Sequence, residues 1–276
     1  MPEIFFLKLA LILYGIATVG FFIFFYTLKP EALRGARWVF LAGFGLHTLS
    51  LALRALALKA PPVISFHGAT SFLAWAVAGV YFFFTLKGPK VYTLGTFLAP
   101  VVLLLVAVAL LSPYAPAPLP PALRSIWLPF HATISLLSYA FFVVAAVAGF
   151  MYLLQERQVK RKMLGGIFRR LPPLESLDRL NEMSLKYGFP LLTVGIITGA
   201  LWAEKAWGSY WSWDPKETWS LILWFIYAAL LHERLIVGWR GRRAAIMALL
   251  GFVVWIISFF VVNLLLPGLH NYGRWT

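Results

Sequence analysis

The chain has 276 residues, of which 61% are hydrophobic and only 12% are charged. A soluble domain carries roughly 25% charged residues, so this composition excludes a water-soluble globule and predicts an integral membrane protein. The sequence contains no cysteine, which excludes disulfides, thiolate metal sites and any thiol relay through its own side chains. The net charge of +14 is compatible with a nucleic acid partner unless the placement of the charges explains it otherwise.

Eight apolar runs follow one another along the chain, and each is long enough for a tilted transmembrane helix. The first run is expected to stay as a helix rather than to be cleaved as a signal, because it is too long and lacks a small-residue cleavage pattern. We therefore predict an all-α polytopic membrane protein with a single membrane domain over residues 1–276. The runs cover residues 4–28, 36–58, 66–86, 91–111, 126–155, 185–204, 218–238 and 244–266.

The lysines and arginines between the runs and near their ends are distributed unevenly between the two sides of the predicted bundle. Seventeen fall on one side and five on the other. The positive-inside rule then places both termini outside the cytoplasm. Residues 156–184 form the largest cytoplasmic basic loop of this topology, a short surface helix or linker that would contact anionic lipid headgroups. The basic surplus is thus a topology signal, and it requires no nucleic acid partner.

Half of the twelve tryptophans fall within 23 residues. Asp214 is followed by Pro215 and Glu217, a pattern that predicts an N-cap and the start of the seventh helix. That start would fix the preceding tryptophans in space. We predict that an external tryptophan-rich segment, residues 204–218, presents a flat apolar surface to a flat aromatic ligand. An interfacial aromatic belt is the alternative. The six residues are Trp202, Trp207, Trp211, Trp213, Trp219 and Trp224.

Residues 207–217, Trp-Gly-Ser-Tyr-Trp-Ser-Trp-Asp-Pro-Lys-Glu, resemble the WWD signature of the haem-handling proteins of cytochrome c maturation. Eight spans and the C-terminal run Leu-Pro-Gly-Leu-His-Asn-Tyr-Gly resemble the CcsA/ResC-type subunits of System II cytochrome c synthases, over essentially the whole chain. The resemblance implies a haem lyase subunit of the bacterial cytoplasmic (inner) membrane with an external, periplasmic active face. Such a protein presents haem b and supports its thioether attachment to the Cys-X-X-Cys-His (CXXCH) motif of a secreted apocytochrome c.

Three of the five histidines match haem ligands of that family. His131 and His270 correspond to its paired external ligands, and they would bracket the tryptophan segment from two different helices. His232 lies fourteen residues into the seventh apolar run, about 21 Å below the outer end of that run, and corresponds to a transmembrane ligand. Taken singly, His131 or His270 also fits an interfacial histidine, and His232 fits a snorkelling one.

The resemblance also implies the remaining site residues and the partners. His131, His270 and Asp214 are expected to be catalytic. The partners are expected to be a CcsB/ResB-like membrane subunit with a transmembrane histidine, apocytochrome c, and thiol-reducing membrane proteins. The expected haem contacts are Trp207, Gly208, Trp211, Trp213, Asp214, Glu217 and Trp219.

Several alternatives stay open at the level of the sequence. A haem exporter or chaperone would deliver haem to a separate lyase, an electron-transfer cytochrome b would pair His47 with His232, and a quinone or lipid scaffold would bind no haem. His47 fits a packed, hydrogen-bonded histidine as well as a ligand, and it shares a helix face with Arg54. His67 and the cations that would hold the haem propionates have no assigned role.

The predicted orientation can be tested with reporter fusions. Fusions after Lys90, near Arg170 and after Arg243 should all report the cytoplasm, because the basic residues concentrate on that side. An external signal at any of the three positions would overturn the topology.

Overall fold

The protein, seen in a computed structural model, is a bundle of membrane-spanning helices. The structure describes residues 2–86, 91–114, 125–163, 165–262 and 265–266. Within these ranges every regular element is helical, and eight helices are long and apolar enough to cross a membrane. The predicted all-α architecture with eight spans is thus confirmed. The helices are α1 (Pro2–Thr27), α2 (Pro30–Leu58), α3 (Phe66–Leu86), α4 (Leu94–Leu111), α5 (Trp127–Lys160), α6 (Leu174–Trp207), α7 (Pro215–His232) and α8 (Arg242–Ile256).

Three short elements complete the fold. A 3₁₀ turn, Pro62–Ile64, precedes α3. π-Helical segments extend α7 over Glu233–Val237 and α8 over Ile257–Val262. A π-helix pairs each carbonyl with an N–H five residues on, so these segments change which backbone groups are paired inside the helix and which are offered to other partners.

The two ends of the bundle differ in chemistry. The tryptophan end carries the start of α1, the α6–α7 connection and the end of α8. The hydroxyl of Ser50, near the end of α2, donates to the Glu3 carbonyl of α1 at 2.7 Å, and the Lys216 ammonium of α7 donates to the Ser258 carbonyl at 2.8 Å. The basic end carries the α5–α6 and α7–α8 connections, with most of the arginines and lysines.

α5 and α6 are much longer than the membrane requires. Each has 34 residues, or about 51 Å, against a hydrocarbon core of roughly 30 Å. The segment 156–184, predicted as a loop or short helix, is therefore largely the ends of these two helices. Hydropathy alone misses this because its charged residues are interleaved with Leu177 and Leu180, which are buried at helical spacing.

A buried arginine holds the basic end together. Arg234, with a side chain only 1% exposed, lies 3.1 Å from the Asp178 carboxylate and also donates to the Asn181 amide oxygen at 3.2 Å. Asp178 in turn accepts the backbone N–H of Gly241 at 2.8 Å. Because these contacts join α6 to both sides of the α7–α8 turn, they fix the rotation of the end of α7, where His232 lies.

Candidate functional site

The start of α7 holds the tryptophan segment. Asp214 is its N-cap and accepts the N–H of Lys216 at 2.9 Å. Glu217 accepts the N–H of Asp214 at 3.2 Å and that of Ser212 at 2.8 Å, which completes a capping box and ties down the preceding loop. The predicted helix start is thus confirmed, and both carboxylates serve the backbone of the segment.

The backbone of this loop is tightly folded. Gly208 ends α6 in the left-handed conformation with φ of 78°, where glycine is favoured. Trp213 also has a positive φ, 58°, which is unusual for a residue with a bulky side chain. Such conformations persist only where the surroundings enforce them, as the capping box does here.

A cleft opens beside this segment, between α5, α6, α7 and the end of α8. It encloses a cavity of about 140 Å³ that is open at its mouth. Small-molecule sites usually measure about 300–1,000 Å³, so a macrocycle bound here would lie partly in the enclosed space and partly in the open mouth. Its lining is mostly apolar and aromatic, with one imidazole, one ammonium and the carboxylate of Glu217. The residues that give the cleft this character are His131, Tyr139, Trp202, Tyr210, Trp211, Lys216 and Phe259.

The imidazole in the cleft belongs to His131. Its Nδ1 lies 2.8 Å from the Gly195 carbonyl of α6. Since a carbonyl can only accept, Nδ1 carries the proton, and in the neutral ring Nε2 then carries the lone pair that a metal ligand needs. The Trp202 ring lies nearly parallel to the imidazole, at 6.2 Å and 11°. Histidines that bind metals commonly donate their other nitrogen to a carbonyl in this way.

The ammonium in the cleft belongs to Lys216. It donates to the carbonyl of Ser258 at 2.8 Å and lies 5.7 Å from the centre of the Phe259 ring. Among the residues that the structure describes, no carboxylate lies within ion-pair distance of it. Lys216 is also the only lysine or arginine among the described residues that line the cleft. The site thus offers a positive charge to an anionic group.

Some of the predicted haem contacts line the cleft, and others lie behind the lining or hold the loop that supplies it. Trp211 and Glu217 line the cleft. Trp207 meets Trp202 edge-on at 4.9 Å, behind the lining. Gly208 and Asp214 form the two caps, and Trp213 is 68% exposed. Trp219 is a partly buried residue of the first turns of α7 that does not line the cleft.

Other predicted residues lie away from the cleft or outside the described part. His270 lies outside the described residues, so its position relative to His131 stays a prediction. Trp224 belongs to helix packing, because its indole N–H donates to the Thr193 hydroxyl of α6 at 2.9 Å.

Several lining residues were not predicted. Trp202 was counted within the cluster but not assigned to the site. Lys216 is one of the five basic residues that the sequence places on the external side, without an assigned role, and Tyr139 and Phe259 carry no sequence signal. The pair Gly195 and Gly199, spaced four residues apart, is a visible small-residue motif for close helix packing, and it could have directed attention to α6.

His47 and His67 are packed residues away from the cleft. His47 is fully buried, with Nε2 2.9 Å from the Ser71 hydroxyl and Nδ1 3.3 Å from the Tyr14 hydroxyl. The Nδ1 of His67 lies 2.7 Å from the Ala109 carbonyl. Both ring nitrogens of His47 have hydrogen-bonding partners, so the structure favours a packed histidine over a haem ligand. This makes His47 a poor candidate for the second ligand of a haem bound by His232.

A buried ionic cluster closes the tryptophan end of α1–α4. The Tyr114 hydroxyl donates to the Glu3 carboxylate, and the Arg54 guanidinium lies 4.7 Å from the centre of the Tyr114 ring. Burial and the Glu3 carboxylate raise the pKa of Tyr114 to about 12, so the phenol stays protonated. Arg54 therefore belongs to this cluster.

His232 has a different environment from the other histidines. It is exposed in the last turn of α7, on the same face as Ile222 and Phe225. Phe225 is 59% exposed, and Ile236, one turn beyond His232, is 73% exposed. An imidazole on an otherwise apolar outward face is available to a second polypeptide packed against α7.

Comparison with known proteins identifies relatives over most of the chain. The family model described as "Cytochrome C assembly protein" matches residues 63–270. The cytochrome c biogenesis protein CcsA of Guillardia theta is 38% identical over 77% of this chain and 76% of its own. The protein of the same name from Microcystis aeruginosa is 36% identical over 88% of this chain and 83% of its own.

Among solved structures, a cytochrome c haem lyase, CcmF, has a similar fold. The two superpose with a TM-score of 0.70 at 16% identity, over 94% of this chain and 46% of the CcmF chain. The likeness at this identity concerns the fold alone, and it extends over nearly the whole helical bundle.

Proposed function

Because this chain belongs to the cytochrome c assembly protein family, we propose that it presents haem b at the tryptophan end and supports its covalent attachment to apocytochrome c. The observation that carries the proposal is the imidazole of His131, whose Nδ1–H donates to the Gly195 carbonyl, in an aromatic cleft beside the tryptophan segment. The protein is a multi-pass membrane protein, and we propose the bacterial cytoplasmic membrane as its location, with the cleft facing outward.

The residues of the cleft fit a haem substrate. Trp202, Tyr210 and Trp211 supply flat apolar walls, and His131 supplies an axial nitrogen. His270, in the C-terminal segment, is the proposed second axial ligand. Because the lining is mostly apolar, it would exclude water around the ring while leaving the mouth open to a substrate peptide.

The chemistry proposed for this site is the addition of a thiol across a vinyl group. The cysteine sulfur of the apocytochrome bonds to one vinyl carbon, the thiol proton is delivered to the other, and no electrons are consumed. The chain brings no thiol of its own. The work of His131 and the aromatic walls is to bind and orient the ring, and the two axial imidazoles would tune the iron. Asp214 contributes through the cap, by fixing the tryptophan segment.

Lys216 is the group that we propose for a haem propionate. The Asp214 carboxylate acts on this half-buried ammonium electrostatically, but no described carboxylate forms an ion pair with it, so an anion that enters the cleft could still pair with it. The hydrogen bond from its ammonium to the Ser258 carbonyl keeps Lys216 on the α8 side of the cleft. A propionate that pairs with Lys216 would therefore lie on that side.

Replacement of the axial ligands tests the assignment. His131→Gly and His270→Gly should each abolish thioether formation by the purified chain and its membrane partner, supplied with haem b and a CXXCH peptide. Added imidazole should restore part of the product, because a ligand vacancy rather than misfolding is the proposed cause. Product is measured as the pyridine haemochrome. Normal product from both variants would refute the ligand pair, and haem binding by wild type without any product would favour the exporter.

The role of Lys216 predicts a difference between two ligands. Wild type should bind haem b about tenfold more tightly than haem dimethyl ester, which lacks the carboxylates, a difference of about 1.4 kcal/mol. Lys216→Met should bind both ligands with the affinity of the ester. Lys205→Met, a change at an exposed lysine near the end of α6, is the matched control and should keep the preference. An equal loss of both ligands in Lys216→Met would assign the residue to packing instead.

We further propose that His232 ligates a second, transmembrane haem whose opposite ligand comes from a CcsB/ResB-like partner. The exposed position of His232 on the apolar face of α7 supports this, and so does the engagement of both His47 nitrogens. Because this haem would need one axial ligand from each chain, it could bind only to the complex of the two chains.

Haem content with and without the partner tests this arrangement. The complex should contain more haem than the chain alone, and His232→Ala should remove the difference. His47→Ala should leave the haem content unchanged, although it removes packing contacts and lowers the melting temperature. Equal loss in the two variants, without dependence on the partner, would contradict the assignment.

A further inference from the structure

His131 lies against a gap in the surface of α6. Gly195 and Gly199 are one helical turn apart and face α5. A Cβ atom built on Gly199 would lie 2.7 Å from both Nδ1 and Cε1 of His131, and one built on Gly195 would lie 2.5 Å from the Ser135 hydroxyl. The imidazole and the hydroxyl, one turn apart on α5, therefore occupy the space that two side chains would fill.

A backbone carbonyl of α6 lies at the bottom of this gap and accepts hydrogen bonds. The Gly195 carbonyl accepts the Nδ1–H of His131 at 2.8 Å and also the Thr198 hydroxyl at 3.0 Å. A helix carbonyl is normally covered by its neighbours, and close approach of a second helix is possible only where residues are small. Trp202, nearly parallel to the imidazole, stands one turn beyond Gly199. The ring is thus held by a hydrogen bond at one nitrogen and an aromatic plane.

We propose that Gly199 is a positioning residue for His131. The absence of a side chain at this position lets the imidazole reach the Gly195 carbonyl, and that hydrogen bond sets both the tautomer and the orientation of the ring. The inference rests on the proposed function, since it concerns His131 as a haem ligand. In this arrangement two helices contribute to the proposed ligand. α5 carries the imidazole, and α6 sets its tautomer and orientation through the Gly195 carbonyl and the space at Gly199.

The physical consequence is a dependence of haem binding on a residue that need not touch haem. A methyl group at position 199 would push the ring away from the carbonyl, and the ring would lose its Nδ1 acceptor. Loss of such an outer partner typically weakens metal affinity by about 10–100-fold. Because the carbonyl also increases the basicity of the ring, its loss should raise the reduction potential of the bound iron.

The test is a haemin titration of Gly199→Ala in a His232→Ala background, so that only the site at the tryptophan end is measured. We expect at least about a tenfold weaker affinity, a higher reduction potential, and recovery of affinity with added imidazole. Gly45→Ala is the matched control, since nothing lies within 4 Å of its new methyl group, and it should behave as the background. An unchanged affinity and potential in Gly199→Ala would overturn the inference.

A double variant separates displacement of the ring from general packing. In His131→Gly, assayed with imidazole, Gly199→Ala should cause no further loss, because there is no tethered ring to displace. The same loss with and without His131 would assign Gly199 to helix packing and overturn the inference. If Gly199→Ala alone fails to fold, folding of the double variant supports the clash with His131, and failure of both overturns it. Wild type without a Soret band would instead overturn the proposed function itself.

Discussion

The close packing of α5 against α6 is the contact on which the rest of the structure depends. Both helices have 34 residues. They approach closely because glycines of α6 accept side chains of α5: Gly188 receives Phe142, Gly195 receives Ser135, and Gly199 receives His131. The Asn181 amide of α6 donates to the Ala145 carbonyl of α5 at 2.8 Å, a bond in an otherwise apolar contact. Without a hydrophobic drive between helices in lipid, such small-residue packing and polar bonds determine which helices pair.

The packing of these two helices also creates the site. Where they touch through glycine, the imidazole of α5 reaches a carbonyl of α6. Beside this contact the two helices line a cleft, and α7 and the end of α8 close its sides. The capping box at Asp214 and Glu217 then fixes the loop that supplies Tyr210 and Trp211. The imidazole, the aromatic walls and the ammonium of the cleft are therefore consequences of one helix pair and one helix start.

α7 connects the two proposed haem positions. Its first turn carries Lys216 and Glu217 in the cleft, and its last turn carries His232 on the outward face. The helix has 18 residues, so its ends are separated by about 27 Å. Arg234 and its partners on α6 fix the rotation of the far end, and the capping box fixes the near end. Both positions are thus held rigidly, although only one of them is enclosed by this chain alone.

The sequence by itself determined the class of the protein, the number of spans and the start of α7. These depend on local or summed properties: apolar runs long enough to cross a bilayer, and an acid, a proline and a glutamate in the spacing of a cap. It also directed attention to the tryptophan segment and His131. The sequence could not distinguish Trp211, which lines the cleft, from Trp213, which is exposed. Their different positions depend on the backbone of the loop, where Trp213 itself has a left-handed conformation just before α7.

Only the tertiary structure decided which side chains share a site and which do not. His47, His131 and His232 look alike as single histidines in apolar helices. Their neighbours on other helices make the first a packed residue, the second a cleft residue and the third an outward-facing one. Gly199, Lys216 and Phe259 likewise join His131 only through contacts between helices that are distant in sequence. The reason is physical: periodicity assigns a residue to a face of its own helix, whereas the partner of that face is determined by the packing of the whole bundle.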